Sequence, residues 1–175
     1  MVARANPFWT YSLRLYRRPG VAPACLSLQE RLGLDVNVLL FCIWAASRGH
    51  RLPAKTMTLA AGLSLLWSTH VVRPLRHARR FLKPLSLPAL RRDVAKVELA
   101  AERVEQDLLV RLAPKRPAAK FRPADGAAVA ADNIAAYLRR GGMEAGAGDV
   151  RQVKTILAAA FPGSPLQGLA GRLRS

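Results

Sequence analysis

Between Arg73 and Arg92 the chain carries Arg73, Arg76, Arg79, Arg80, Lys83, Arg91 and Arg92, and no acidic residue. A guanidinium presents a planar fork of donors that matches carboxylate or phosphate oxygens, so such a run can grip an anion. At about 100° per residue, Leu75, Ala78 and Leu82 share one side of a helix, and Arg76, Arg80 and Lys83 share another. Arg79 falls on the border. Arg73 precedes Pro74, which biases its backbone away from the α region. A quieter use of the same charges is internal: Glu98, Glu102 and Glu105 lie along one side of the next helix and can neutralise part of the arginine face. The residues expected to bind an anion or a partner are Arg73, Arg76, Arg80 and Lys83, joined by Arg91 and Arg92.

A second group sits where the chain is most apolar. Ser12, Gln29, Asp35 and Asn37 adjoin segments that must be buried, and a buried polar group without a partner costs about 1–3 kcal/mol. Local capping accounts for most of them, with Asp35 at a helix N-cap, Asn37 in the first turn and Gln29 toward water. The functional alternative is a small polar pocket of Gln29, Asp35 and Asn37, rimmed by Trp9, Tyr16 and Trp44. Metal and catalytic signals are weak. His50, His70 and His77 lack the one-turn spacing of a helical ligand pair, and Cys25 and Cys42 form no C-x-x-C. Glu98 and Glu102 stand one turn apart, which suits acid–base work but suits arginine partners better. No metal, cofactor or catalytic residue is expected.

The elements that must position these residues are all helical. Asn6-Pro7 opens a first helix, ended by Pro19-Gly20. A second runs from Val21 to Arg31 and stops at Gly33. Asp35 caps a third, apolar nearly all round and so central to a bundle. A fourth starts at Thr56 or Thr58 and runs to Trp67. Pro74 breaks or kinks the chain before a short fifth helix that reaches about Lys83. In the sixth, Leu90, Val94, Val97, Ala101, Val104 and Leu108 make a coiled-coil-like seam within residues 89–112. Two weaker helices follow, Ala127 to Arg140 and Val150 to Phe161, with Asp125 and Asp149 as candidate caps. The expectation is an all-α, single-domain bundle of about six to eight helices. It divides into a core over 6–113, a basic Pro-rich linker over 114–124, a C-terminal pair over 125–162 and a flexible tail over 163–175.

Composition bounds the rest. A length of 175 residues is ordinary for one domain, and 28 Lys and Arg against 11 Asp and Glu give +17. Two cysteines exclude a disulfide framework, and the thiols read as small buried hydrophobes. No apolar run reaches the ~20 residues needed to span a bilayer, and the start of the chain resembles no export signal. The default location is the cytoplasm.

The stretches Asn6-Pro7-Phe8-Trp9, Ser12-Leu13-x-Leu15-Tyr16, Pro19-Gly20-Val21 and Gly33-Leu34-Asp35-Val36-Asn37-Val38-Leu39-Leu40-Phe41-Cys42-Ile43-Trp44 resemble an uncharacterised proteobacterial family. The Val71-Val72-Arg73-Pro74-Leu75-Arg76 segment and Glu98 to Glu102 continue the likeness, which covers most of 6–112 with a weaker echo from Asn133 to Pro162. That family is known only as a domain of unknown function, so the resemblance implies a bacterial protein and carries no activity. The leading expectation is a non-enzymatic protein that binds another macromolecule, most simply a protein, through its basic helix face. A nucleic-acid or ribosome-associated accessory role is one alternative. An enzyme of unrecognised type near Asp35 and Asn37 is another.

Overall fold

The computed structural model describes residues 6–115 and 122–174, and among them the only regular secondary structure is helical. Asn6 caps α1 (Pro7–Tyr16): its Oδ1 accepts from the backbone N–H groups of Phe8 at 2.8 Å and Trp9 at 3.2 Å. Its Nδ2 donates to Asp107, tying the start of the chain to a helix a hundred residues on. The second helix, α2 (Val21–Leu32), ends at Gly33, whose φ of 67° is open to glycine at no steric cost. The tight turn that follows puts Asp35 at the N-cap of α3 (Val36–Ser47).

Every residue of α3 from Val38 to Ala46 is buried, as its all-round apolarity requires. It packs most extensively against α7 (Gly126–Arg140), whose buried face is Ala127, Ala130, Ala131, Ile134 and Leu138. Small side chains there let the two axes approach closely. The C-terminal helices thus complete the core. α8 (Ala147–Ala160) lies on α2, and α9 (Leu169–Arg174) buries Leu169 and Leu173 against α7 and α8. Within the segment after Pro162, expected from sequence to be a flexible tail, Leu169 and Leu173 are buried. Of the expected linker, residues 116–121 lie outside the described residues.

Asp149 stands at the third position of α8, not at its cap. It is fully buried, accepts from the Gly146 N–H at 2.9 Å and takes both Nε and Nη2 of Arg31 at 2.7 and 2.6 Å. The Arg31 bonds hold its carboxyl below the ordinary range despite burial. A depressed carboxyl adds stability above its ordinary pKa and loses it as pH falls. Because Arg31 is largely solvent-exposed, Asp149→Asn is expected to cost only about 1 kcal/mol at neutral pH. Urea midpoints of variant and wild type should converge in acid.

Three further elements carry the arginines. The helix α4 (Ala54–Trp67) starts two residues before Thr56, on the extended Pro53. It runs without a break through a π turn, Ser68–Val72, into α5 (Arg73–Phe81). Pro74 therefore breaks nothing: the wide turn accommodates its ring and its missing donor, and Arg73 keeps helical angles of −63° and −44°. After the turn, α6 (Pro88–Leu112) packs against α5.

The seam expected on α6 is largely on the surface. Leu90, Val97 and Val104 are 51%, 54% and 42% exposed, while Glu98, Ala101, Glu105, Gln106 and Leu109 are buried. Of the seam residues only Ala101 is buried, beneath Trp67, whose Nε1 donates to its carbonyl at 2.9 Å. The face turned inward is polar because arginines and amides meet it there.

Candidate functional site

A cleft of about 630 Å³ opens between α1, α2, the start of α3, α5 and α6. Trp9, Ser12 and Tyr16 line it from α1, Gln29 from α2, and Asp35 and Asn37 from the cap of α3. Opposite stand Arg73, Arg76, Arg79 and Arg80 of α5 and Glu98, Glu102, Glu105 and Gln106 of α6.

Asp35 Oδ1 accepts from the Asn37 N–H at 2.7 Å, and its own N–H donates to the Tyr137 hydroxyl at 2.8 Å. Asn37 then faces α6. Its Nδ2 donates to Glu105 at 2.8 Å, and its Oδ1 accepts from Gln106 Nε2 at 2.7 Å. The Ser64 hydroxyl of α4 meets the other Glu105 oxygen at 2.5 Å. Burial, reinforced by the nearby Asp35 charge, pushes Glu105 up to about 8, and burial also raises Asp35.

The second cluster is ionic. Arg76 donates from Nε to Glu98 at 2.9 Å and from Nη2 to Glu102 at 2.8 Å, and Arg79 Nε donates to Glu98 at 2.5 Å. Burial works against the charge on Glu98, yet its two arginines leave it below the ordinary range. Glu102 has one arginine, and burial prevails to raise it.

The arginine run is therefore divided. Arg76, expected on the open face, is turned inward and committed to two glutamates. Arg73 and Arg80 stand exposed at the cleft, Lys83 and Arg92 are exposed beyond it, and none of the four has an ion pair among the described residues. Arg91 is half-buried, with its Nε unpartnered. Around these cations Phe81, Leu85, Leu87 and Leu90 are also exposed. Of the three aromatic residues expected at the pocket rim, Trp9 and Tyr16 line the cleft. Trp44 does not: it packs in the core on Phe8 and Phe41, ring centroids 5.3 and 6.1 Å away, where its apolar helix carries it. Sequence reasoning missed Ser64 and Gln106: Ser64 was signalled by a polar residue in an otherwise apolar helix turn, whereas Gln106 lies in a polar turn that carried no such signal.

Among the described residues no group of three His, Cys, Asp or Glu is placed to hold a metal ion, and no helix is long and apolar enough to cross a membrane. Cys25 and Cys42 are free and buried, and burial pushes the Cys25 thiol up to about 12.

Fold and cleft together define an all-helical, single-domain bundle with a polar interior between its first six helices. Residues 7–109 match a family described as protein of unknown function (DUF2390), and the chain belongs to that family. No curated protein and no solved structure matches it. All the residues named above as lining the cleft fall within the matched segment; α7, which covers α3 and carries Tyr137, lies beyond it.

Proposed function

We propose that the chain is a non-enzymatic interaction protein of the cytoplasm, and that the free end of its α5–α6 hairpin docks an acidic partner protein. The observation that carries this reading is the juxtaposition of Arg80, Lys83 and Arg92, none ion-paired among the described residues, with exposed Phe81, Leu85, Leu87 and Leu90. On the same helix, Arg76 and Arg79 already seat Glu98 and Glu102 of α6, one turn apart. A partner helix with carboxylates at that spacing and an apolar seam would satisfy the remaining cations in the same way. A nucleic-acid backbone would satisfy the cations and leave the apolar side chains in water, so the exposed leucines favour protein. An enzymatic reading is less well supported: Glu98 is saturated by two arginines, and Asn37 is tied to Glu105 and Gln106.

The test compares the tagged full chain with Arg80→Glu/Lys83→Glu in extract with and without nuclease treatment, at low and high salt. Arg76 is left intact because its loss would strand two glutamates. The wild type should recover a partner whose retention falls with salt, with cross-links from Lys83 landing in an acidic segment, and the variant should lose it. Equal recovery by both proteins would remove the hairpin from consideration. Retention abolished by nuclease would favour the nucleic-acid alternative.

A further inference from the structure

Two buried polar atoms at the cleft have no hydrogen-bond partner among the described residues. Gln106 is 3% exposed and Ser12 is 4% exposed, both line the cavity, and neither Gln106 Oε1 nor Ser12 Oγ makes a hydrogen bond. Folded proteins seldom leave such atoms unsatisfied, so each is placed to bond a water or a bound group that is not part of the chain. A volume of about 630 Å³ lies within the range of small-molecule sites.

The chemistry of the surroundings narrows the class. One helical turn before Gln106, Glu102 also lines the cleft; it gives one oxygen to Arg76, and its other oxygen has no hydrogen bond among the described residues. Asp35 and Glu102 are held above the ordinary carboxylate range by burial, as expected of acids short of counter-charge. This floor is rich in acceptors and lacks the three-ligand grouping a metal would need. Tyr16 offers ring surface for an alkyl spine or a cation; Trp9 also lines the cleft, with the Arg103 guanidinium already 5.9 Å from its ring centroid. At the mouth the sign reverses, because Arg73 lines the cleft with no ion pair among the described residues.

We infer that the cleft binds a small zwitterion, its ammonium or guanidinium head on Gln106, Glu102 and Ser12 and its anionic end on Arg73. The head supplies the donors that the floor lacks, and the opposite end brings Arg73 the carboxylate or phosphate it is shaped to hold. This site is independent of the docking proposed for the hairpin end, since neither Ser12 nor Gln106 belongs to that surface.

The test follows the Gln106 side-chain amide and the Ser12 backbone amide by NMR on the full chain. Probes are ε-aminocaproate and γ-guanidinobutyrate, against the one-ended hexylamine and caproate. Both two-ended probes should shift these resonances saturably and bind about tenfold more tightly than either one-ended probe. Arg73→Ala should reduce ε-aminocaproate to the level of hexylamine. Ser12→Ala should weaken binding several-fold while leaving the Tm unchanged or higher, because it removes an unsatisfied hydroxyl. No saturable shift with any probe, or affinities indifferent to both substitutions, would overturn the assignment.

Discussion

Glu105→Gln is expected to stabilise the protein at alkaline pH and to leave it nearly unchanged in acid. Glu105 is fully buried and sits at about 8, against an ordinary value of 4.5. A carboxyl raised in the folded state contributes its full stability below its unfolded pKa. That contribution disappears as the pH climbs to the folded value. The interval from 4.5 to about 8 corresponds to roughly 5 kcal/mol of penalty for carrying the charge inside. Asp35 stands at the same site and shares that penalty, so a gain of roughly 3 kcal/mol above pH 8 is the expected size. Glutamine fits the existing bonds: its oxygen can accept from Asn37 Nδ2, and its amide can donate to the Ser64 hydroxyl. Urea midpoints measured across a pH series should diverge upward for the variant. Parallel curves would mean that Glu105 ionises freely.

Asn133→Ala should have the largest destabilising effect of any single polar truncation in the core. Asn133 is 1% exposed and lies where α7 crosses α3 and the loop leading to α4. Its Nδ2 donates to the carbonyls of Cys42 at 3.1 Å and His50 at 2.9 Å, and its Oδ1 accepts from the Leu52 N–H at 2.8 Å. Alanine removes all three bonds in a place water does not reach. The buried Leu52 N–H then has no acceptor, and the carbonyl of His50 loses a donor. Two such losses amount to roughly 3 kcal/mol, or a Tm lower by about 6–12 °C for a domain of this size. Asn133→Asp keeps the acceptor but loses both donors and buries a charge, so it should be worse. A scanning calorimetry series of wild type, Asn133→Ala and Asn133→Asp checks the order. A fall of only a degree or two for alanine would show that the loop satisfies itself.

The elements legible in the sequence were those set by local chemistry. Asn6 and Asp35 cap where a side-chain acceptor precedes an apolar run, Gly33 ends α2 where a positive φ is needed, and α3 is central because it has no polar face. Gln29, Asp35 and Asn37 were readable as a group for the same reason, being polar residues beside buried helices, and they share one cleft. Burial on α6 was not legible. Periodicity marks Leu90, Val97 and Val104 as the inward face, yet the packing of α5 and the amide of Asn37 turns Glu98, Glu105 and Gln106 inward instead. A hydrophobic pattern cannot register an interior whose cost is met by ion pairs contributed from another helix. The division of the arginines into committed and uncommitted sets follows from the same contacts, which pair residues about twenty positions apart in the chain.

The π turn at Ser68–Val72 has an effect that reaches well past Pro74. It inserts one extra residue into an otherwise continuous rod, and so offsets the phase of everything downstream by about 100°. An unbroken α-helix of the same sequence would bring Leu75 to the spot where Arg76 now bridges Glu98 and Glu102. The glutamates of α6 would then face a hydrocarbon chain. One surplus residue, six positions before Pro74 at the earliest, sets which of the α5 side chains serve the interior and which are left in water.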